Sequence, residues 1–172
     1  MKVPVARWIA GVAVALWAAS AAQAKDDALT AKAAFASLAS LAGTWQGPAE
    51  GEQALVLYRV VAGGSVVMET LFASTEHEMI TMYHLDGAEL VATHYCAAGN
   101  QPRFKLDRAH STPTKLVFAF AGGSNVNPKR DTHVHGGEIE IKGVDAIAGR
   151  WDQWQNGASA RKLQFDLQRR RD

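Results

Sequence analysis

Alternation is the feature that most constrains this chain. Beyond Gly43 the sequence reads as short runs rich in Val, Ile, Thr, Phe, Tyr and Trp, with apolar residues at period two and glycine-bearing turns between them. That is the pattern of half-buried strands, whose side chains point to opposite faces in turn. The runs predict strands over Thr44–Gly47, Ala54–Ala62, Ser65–Ala73, Glu76–Leu85, Ala88–Cys96, Arg103–Asp107, Lys115–Ala121, Thr132–Lys142, Ala146–Gln155 and Arg161–Gln168. Gly63-Gly64, Asp86-Gly87 and Asn156-Gly157 are two-residue hairpin signals, which join neighbouring antiparallel strands.

Short connections throughout argue for an up-and-down meander. A long meander removes its exposed edges most simply by closing on itself, so an all-β barrel of about ten strands is expected. A sandwich would need longer crossing loops, and only Ala121 to Asp131 is long enough for one.

Ahead of the strands, Lys25 to Ala42 reads as an amphipathic helix. Leu29, Ala33, Phe35, Leu38 and Leu41 recur at three-to-four spacing, with Asp26 and Asp27 as capping oxygens. Earlier still, Lys2 and Arg7 precede an uncharged apolar run from Trp8 to Ala19, and Ala22-Gln23-Ala24 follows with small residues. This is the layout of a secretory signal peptide cleaved after Ala24, and the run is shorter than the ~20 apolar residues that span a bilayer. The organisation expected is therefore a signal peptide over 1–24, a helix over 25–42 and a barrel over 43–172, in a periplasmic or secreted protein.

The 172 residues carry 18 basic and 17 acidic side chains. Removal of residues 1–24 takes Lys2 and Arg7 with it, so the remaining 148 carry 16 basic and 17 acidic groups, a formal charge of −1. Such a chain has no electrostatic attraction for nucleic acid or anionic lipid. Cys96 is the only cysteine, so no internal disulfide can form.

Parity assigns the inner face. Leu163, Phe165 and Leu167 alternate with Lys162, Gln164 and Asp166, and Ile139 and Ile141 alternate with Glu138 and Glu140. His133 and His135 share the inward parity of Ile139 unless Gly136-Gly137 forms a bulge. Leu90 and Ala92 oppose Glu89, which turns His94 and Cys96 inward. In the fourth strand the face of His77, Met79, Thr81 and Tyr83 and the face of Ile80, Met82 and His84 are equally eligible. Glu69 interrupts an apolar run and joins the interior polar set.

Imidazole, thiol and carboxylate groups gathered inside a barrel have two readings. They line a pocket as hydrogen-bonded anchors for a small hydrophobic or amphipathic ligand, or His94, Cys96, His133 and His135 ligate a metal or haem iron. His133-x-His135 matches the first half of a cupin metal motif, but no later histidine completes it. A Cys96–His94 catalytic pair is opposed by their separation of about 7 Å along one strand face, and no catalytic residue is assigned. Gly99-Asn100-Gln101-Pro102 is a turn by composition and is expected at the pocket rim, where Asn100 and Arg103 would meet an anionic head group. A third reading is an interaction module with an interior filled by Trp45, Trp151, Trp154, Phe72, Phe118, Phe120 and Phe165 and with outer loops that bind another envelope protein.

Gly43-Thr44-Trp45, directly after a helix, resembles the G-x-W signature of lipocalins and other calycins. Gly63-Gly64-Ser65, His77-Glu78-Met79, Tyr83-His84-Leu85-Asp86-Gly87, Thr93-His94-Tyr95-Cys96 and Gly99-Asn100-Gln101-Pro102-Arg103 resemble lipocalin-like exported bacterial proteins of unknown function, related to the domain-of-unknown-function-1579 family. The resemblance runs from about Leu41 to Gln168 and implies a calycin-type barrel that binds a small apolar molecule. It carries over no catalytic residue. A more distant similarity is to nitrobindin-like ten-stranded barrels, which hold haem through a late histidine, whereas the last histidine here is His135.

Overall fold

A computed structural model of the chain describes residues 29–171. Ten strands follow one another as β1 (Gly43–Ala49), β2 (Glu52–Val61), β3 (Val66–Leu71), β4 (Met79–Asp86), β5 (Glu89–Tyr95), β6 (Gln101–Leu106), β7 (Lys115–Ser124), β8 (His133–Ile141), β9 (Ala146–Gln155) and β10 (Ala158–Arg169). Each pairs antiparallel with the next, and β10 returns to β1, so the sheet is a closed barrel without a free edge. Every strand expected from the alternation is present. Among the described residues, no helix is long and apolar enough to cross a membrane.

The helix α1 is shorter than its sequence pattern, spanning Ala31–Ala39. It begins where the Thr30 hydroxyl accepts from the Ala33 N–H at 3.1 Å, the bond that satisfies one of the free donors of a first turn. Asp26 and Asp27, the expected caps, lie outside the described residues. Ala34, Leu38 and Leu41 are buried on the barrel side. Two long-range bonds hold the helix there: Arg108 Nε donates to the Leu29 carbonyl at 3.0 Å, and Ser37 Oγ to the Pro113 carbonyl at 2.9 Å.

An up-and-down meander sorts its connections onto two ends. The α1 end holds the β2–β3, β4–β5, β6–β7 and β8–β9 connections, and the opposite end holds β1–β2, β3–β4, β5–β6, β7–β8 and β9–β10. Asn156 and Gly157 close the last hairpin with φ of 53° and 76°, the left-handed pair that a tight turn between right-twisted strands needs.

The interior is filled chiefly by aromatic rings in mutual contact. Tyr83 lies 5.4 Å from Phe118 between centroids, Phe118 6.3 Å from Trp151, and Trp151 5.6 Å from Phe104. Phe165 is buried beside them and meets Phe72 of the β3–β4 connection at 5.7 Å. Trp151 finds room because β8 carries glycine opposite it: a Cβ on Gly137 would lie 2.6 Å from the Trp151 ring.

Candidate functional site

Hairpin register places four polar side chains in one row across the barrel wall. Tyr58 of β2 is directly opposite Glu69 of β3, Glu69 is opposite Thr81 of β4, and Thr81 is opposite His94 of β5. All four are buried. This row decides between the two faces of β4: Thr81 and Tyr83 point inward, whereas His77 is exposed and lies outside the strand.

Glu69 is the hub. Its two carboxyl oxygens accept from the Tyr58 hydroxyl at 2.5 Å and the Tyr83 hydroxyl at 2.7 Å. Burial pushes its pKa up, and the neighbouring hydroxyls oppose the rise by stabilising the carboxylate, with a net upward shift. Burial, and then the Glu69 charge, drive the pKa of both tyrosines well up, so both remain donors.

His94 ends the row. Its Nδ1 lies 2.9 Å from Thr81 Oγ1, and burial pushes its pKa down to about 4, so the ring is neutral near pH 7. The other ring nitrogen, Nε2, is buried without a hydrogen-bond partner in the protein. His94 borders a cavity of about 30 Å³ lined also by Glu69, Thr81, Leu71, Phe104, Val134, Trp151, Leu163 and Phe165. Leu163 is the one lining residue that is only half-buried, so it faces both the cavity and solvent. By volume the space admits one or two water-sized groups.

The other residues expected at the site are elsewhere. The alternation of β8 inverts at a bulge between Val134 and Gly136, so Val134 lines the cavity and the adjacent histidines do not. Gly136 takes φ of 149°, and a Cβ there would sit 2.7 Å from the Phe118 carbonyl oxygen, which accounts for glycine at the bulge. His133 and His135 form their own cluster. His133 Nδ1 donates to the Asp131 carbonyl at 2.8 Å, and His133 Nε2 meets His135 Nδ1 at 2.9 Å. The His135 ring is sandwiched between Phe120 at 4.5 Å and Trp154 at 3.7 Å. Desolvation first, and the neighbouring His133 second, hold the His135 pKa down.

Cys96 lies just past β5 in the turn, half-buried and outside the cavity lining, with its backbone bonded to Asn100 and Gly99. Asn100 is buried and donates from Nδ2 to the Thr132 carbonyl at 2.8 Å, tying the β5–β6 connection to the β7–β8 connection. Arg103 is not at the rim of the interior. Phe104 takes the inward position, and Arg103 is exposed on the outer face, bonded to Ser124 Oγ at 3.1 Å, beside a pocket of about 290 Å³ lined also by His84, Asp86 and Lys105.

The metal reading therefore loses its ligand set, because His94, Cys96 and the His133–His135 pair occupy three separate places. Among the described residues, no three His, Cys, Asp or Glu side chains converge as a metal site. The fold and site define a closed ten-stranded antiparallel barrel with a cross-strand row of buried Tyr58, Glu69, Thr81 and His94 in an aromatic interior. Compared with known proteins, the chain matches no family profile, no curated protein and no solved structure.

Proposed function

We propose that this protein is a binding barrel that receives the polar end of a small hydrophobic or amphipathic molecule at His94, beside Thr81 and Glu69. The observation that carries this reading is the His94 Nε2 atom, buried and unpartnered at the edge of a cavity whose wall is apolar apart from Glu69, Thr81 and His94 itself. An unpaired buried polar atom costs about 1–3 kcal/mol, and a ligand that supplies the missing bond recovers it. The cavity is small, so any ligand longer than a water-sized group enters by displacing Leu163. The leader-like residues 1–24 and the resemblance to exported lipocalin-like proteins support a periplasmic or secreted site of action.

The test is native mass spectrometry of protein isolated from its own periplasm, paired with displacement of a fluorescent fatty-acid probe. A co-purified molecule lost in His94→Leu, with at least about tenfold weaker probe binding, is expected (about 1.4 kcal/mol per tenfold). Absence of any bound or displaceable molecule in the wild-type protein overturns it.

One observation favours a second reading, a filled barrel whose outer loops bind another envelope protein. The interior spaces beside Glu69 are about 30 Å³ and about 10 Å³, far below the ~300 Å³ at which small-molecule pockets begin. This reading predicts that the wild-type protein is ligand-free and that removal of Leu163 creates no probe binding.

A further inference from the structure

We propose that the cavity-side nitrogen of His94 carries the ring proton, so that the interior site recognises its ligand through a hydrogen-bond acceptor, the oxygen of a carbonyl or carboxyl group. For the ligand this rests on the binding reading above and narrows it; the place of the proton is a property of the protein alone.

The neutral ring has one proton for two nitrogens, and its surroundings decide where that proton sits. Nδ1 lies 2.9 Å from Thr81 Oγ1, and Nε2 is buried without a partner in the protein. With the proton on Nδ1, the Thr81 oxygen would accept it, and the hydroxyl proton of Thr81 would need an acceptor of its own. Glu69 lies opposite Thr81 on β3, but each of its carboxyl oxygens already accepts a tyrosine hydroxyl. That arrangement strands two buried polar groups, the Thr81 hydroxyl proton and the bare Nε2. With the proton on Nε2, Thr81 donates to Nδ1 and the Nε2–H alone is left unpaired. One stranded group costs less than two, so the second arrangement is the native one.

The cavity then offers its occupant one free donor. The protons of Tyr58 and Tyr83 are committed to Glu69, that of Thr81 to His94, and the rest of the wall is apolar. A carbonyl oxygen accepts from Nε2 and brings no proton that needs an acceptor in turn. An ammonium group brings donors only and leaves Nε2–H stranded. The space of about 30 Å³ sets the size of the head group as well: a carbonyl fits, and a phosphate or a sugar does not. The class of ligand is therefore an apolar chain that ends in a ketone, aldehyde, ester or carboxyl group.

Histidine-selective ¹⁵N NMR of the ligand-free protein at about pH 7 reads the tautomer directly, with the His94 signals assigned by their loss in His94→Leu. Nε2 should be protonated and Nδ1 not, and the Nδ1 signal should be displaced by its bond to Thr81. In Thr81→Val it should move to the position of a free imine nitrogen, and in Thr81→Ser, which keeps the hydroxyl, it should stay. A bare Nε2 overturns the proposal, because the Thr81 proton then points away from the ring, as does an Nδ1 signal that Thr81→Val leaves in place. The ligand class is tested with a medium-chain methyl ketone and the primary amine of the same chain length as competitors of the fluorescent fatty-acid probe. The ketone should displace the probe at about one tenth of the amine concentration or less; equal potency, or a stronger amine, overturns the class. Failure of the probe itself to bind counts against the binding reading, whereas the NMR result does not depend on it, so the two fail separately.

Discussion

The guanidinium of Arg169 lies 4.2 Å from the ring centroid of Trp45, its direct cross-strand partner where β10 closes onto β1. The same side chain donates to the carbonyls of Ala42 at 2.8 Å, Ser40 at 3.3 Å and Val144 at 3.0 Å, while Trp45 Nε1 donates to Leu41 at 2.8 Å. The end of α1, the closing strand pair and the β8–β9 connection therefore converge on two residues. Arg169→Met, which keeps the stem and removes the charge and donors, should cost about 2 kcal/mol in denaturant unfolding. A double-mutant cycle with Trp45→Phe should show coupling of at least about 0.5 kcal/mol; additivity would mean the stacking contributes nothing.

The stability of the barrel should fall as the medium is acidified because of His94. Its pKa is about 4 in the folded protein against 6.5 for the free side chain. Between those values the unfolded chain binds a proton that the native state refuses, so native stability is full above about pH 6.5 and lost as pH falls toward about 4. The shift corresponds to about 3 kcal/mol. Glu69 has the opposite sign: its raised pKa contributes stability below 4.5, lost as pH rises through the folded value. The difference between wild type and His94→Leu, followed by urea unfolding at several pH values, isolates the histidine contribution. A pH-independent difference would refute it.

Leu163→Ala should widen the way into the cavity. The side chain is half-buried, so the cost should be about 1–2 kcal/mol, below the range for a fully buried leucine. Xenon-induced shifts on Val134, Phe104 and His94 should grow relative to wild type. An unchanged response would show that Leu163 does not guard that space.

Much of this architecture is legible in the sequence because hairpin turns and alternation are local. Reflection about Gly63-Gly64 alone sets Tyr58 opposite Glu69, but the β4–β5 turn is Gly87-Ala88, one position beyond the Asp86-Gly87 signal, and it is this shift that sets Thr81 opposite His94. Only part of the row is therefore legible from turn positions, and the Glu69–Thr81 pairing across the longer β3–β4 connection is not. Parity fails where the pleat is interrupted. The bulge at Gly136 takes His133 and His135 off the interior face, and only the paired glycines hint at it. Arg103, by contrast, is outward by ordinary alternation with the buried Pro102, Phe104 and Leu106, so its expected place at the pocket rim runs against the parity of its own strand. The Asn100 tether depends on a side chain meeting a backbone carbonyl thirty-two positions away, which no local pattern encodes.

Asn100 and Arg103 should behave in opposite ways, although they are three positions apart in one corner. Asn100 is buried and supplies the bond between two loops, so Asn100→Ala leaves the Thr132 carbonyl without its partner and should cost about 1–2 kcal/mol. Hydrogen exchange should rise in residues 96–100 and 125–132 together, because one bond links them. Arg103 is exposed and holds only Ser124 Oγ, so Arg103→Ala should change stability by ~0.5 kcal/mol or less. It should also leave displacement of an acidic probe unchanged, since the guanidinium is on the outer face and the cavity is on the inner one. Weaker binding of acidic probes in Arg103→Ala would place the ligand's head group outside the barrel and sink the interior site at His94.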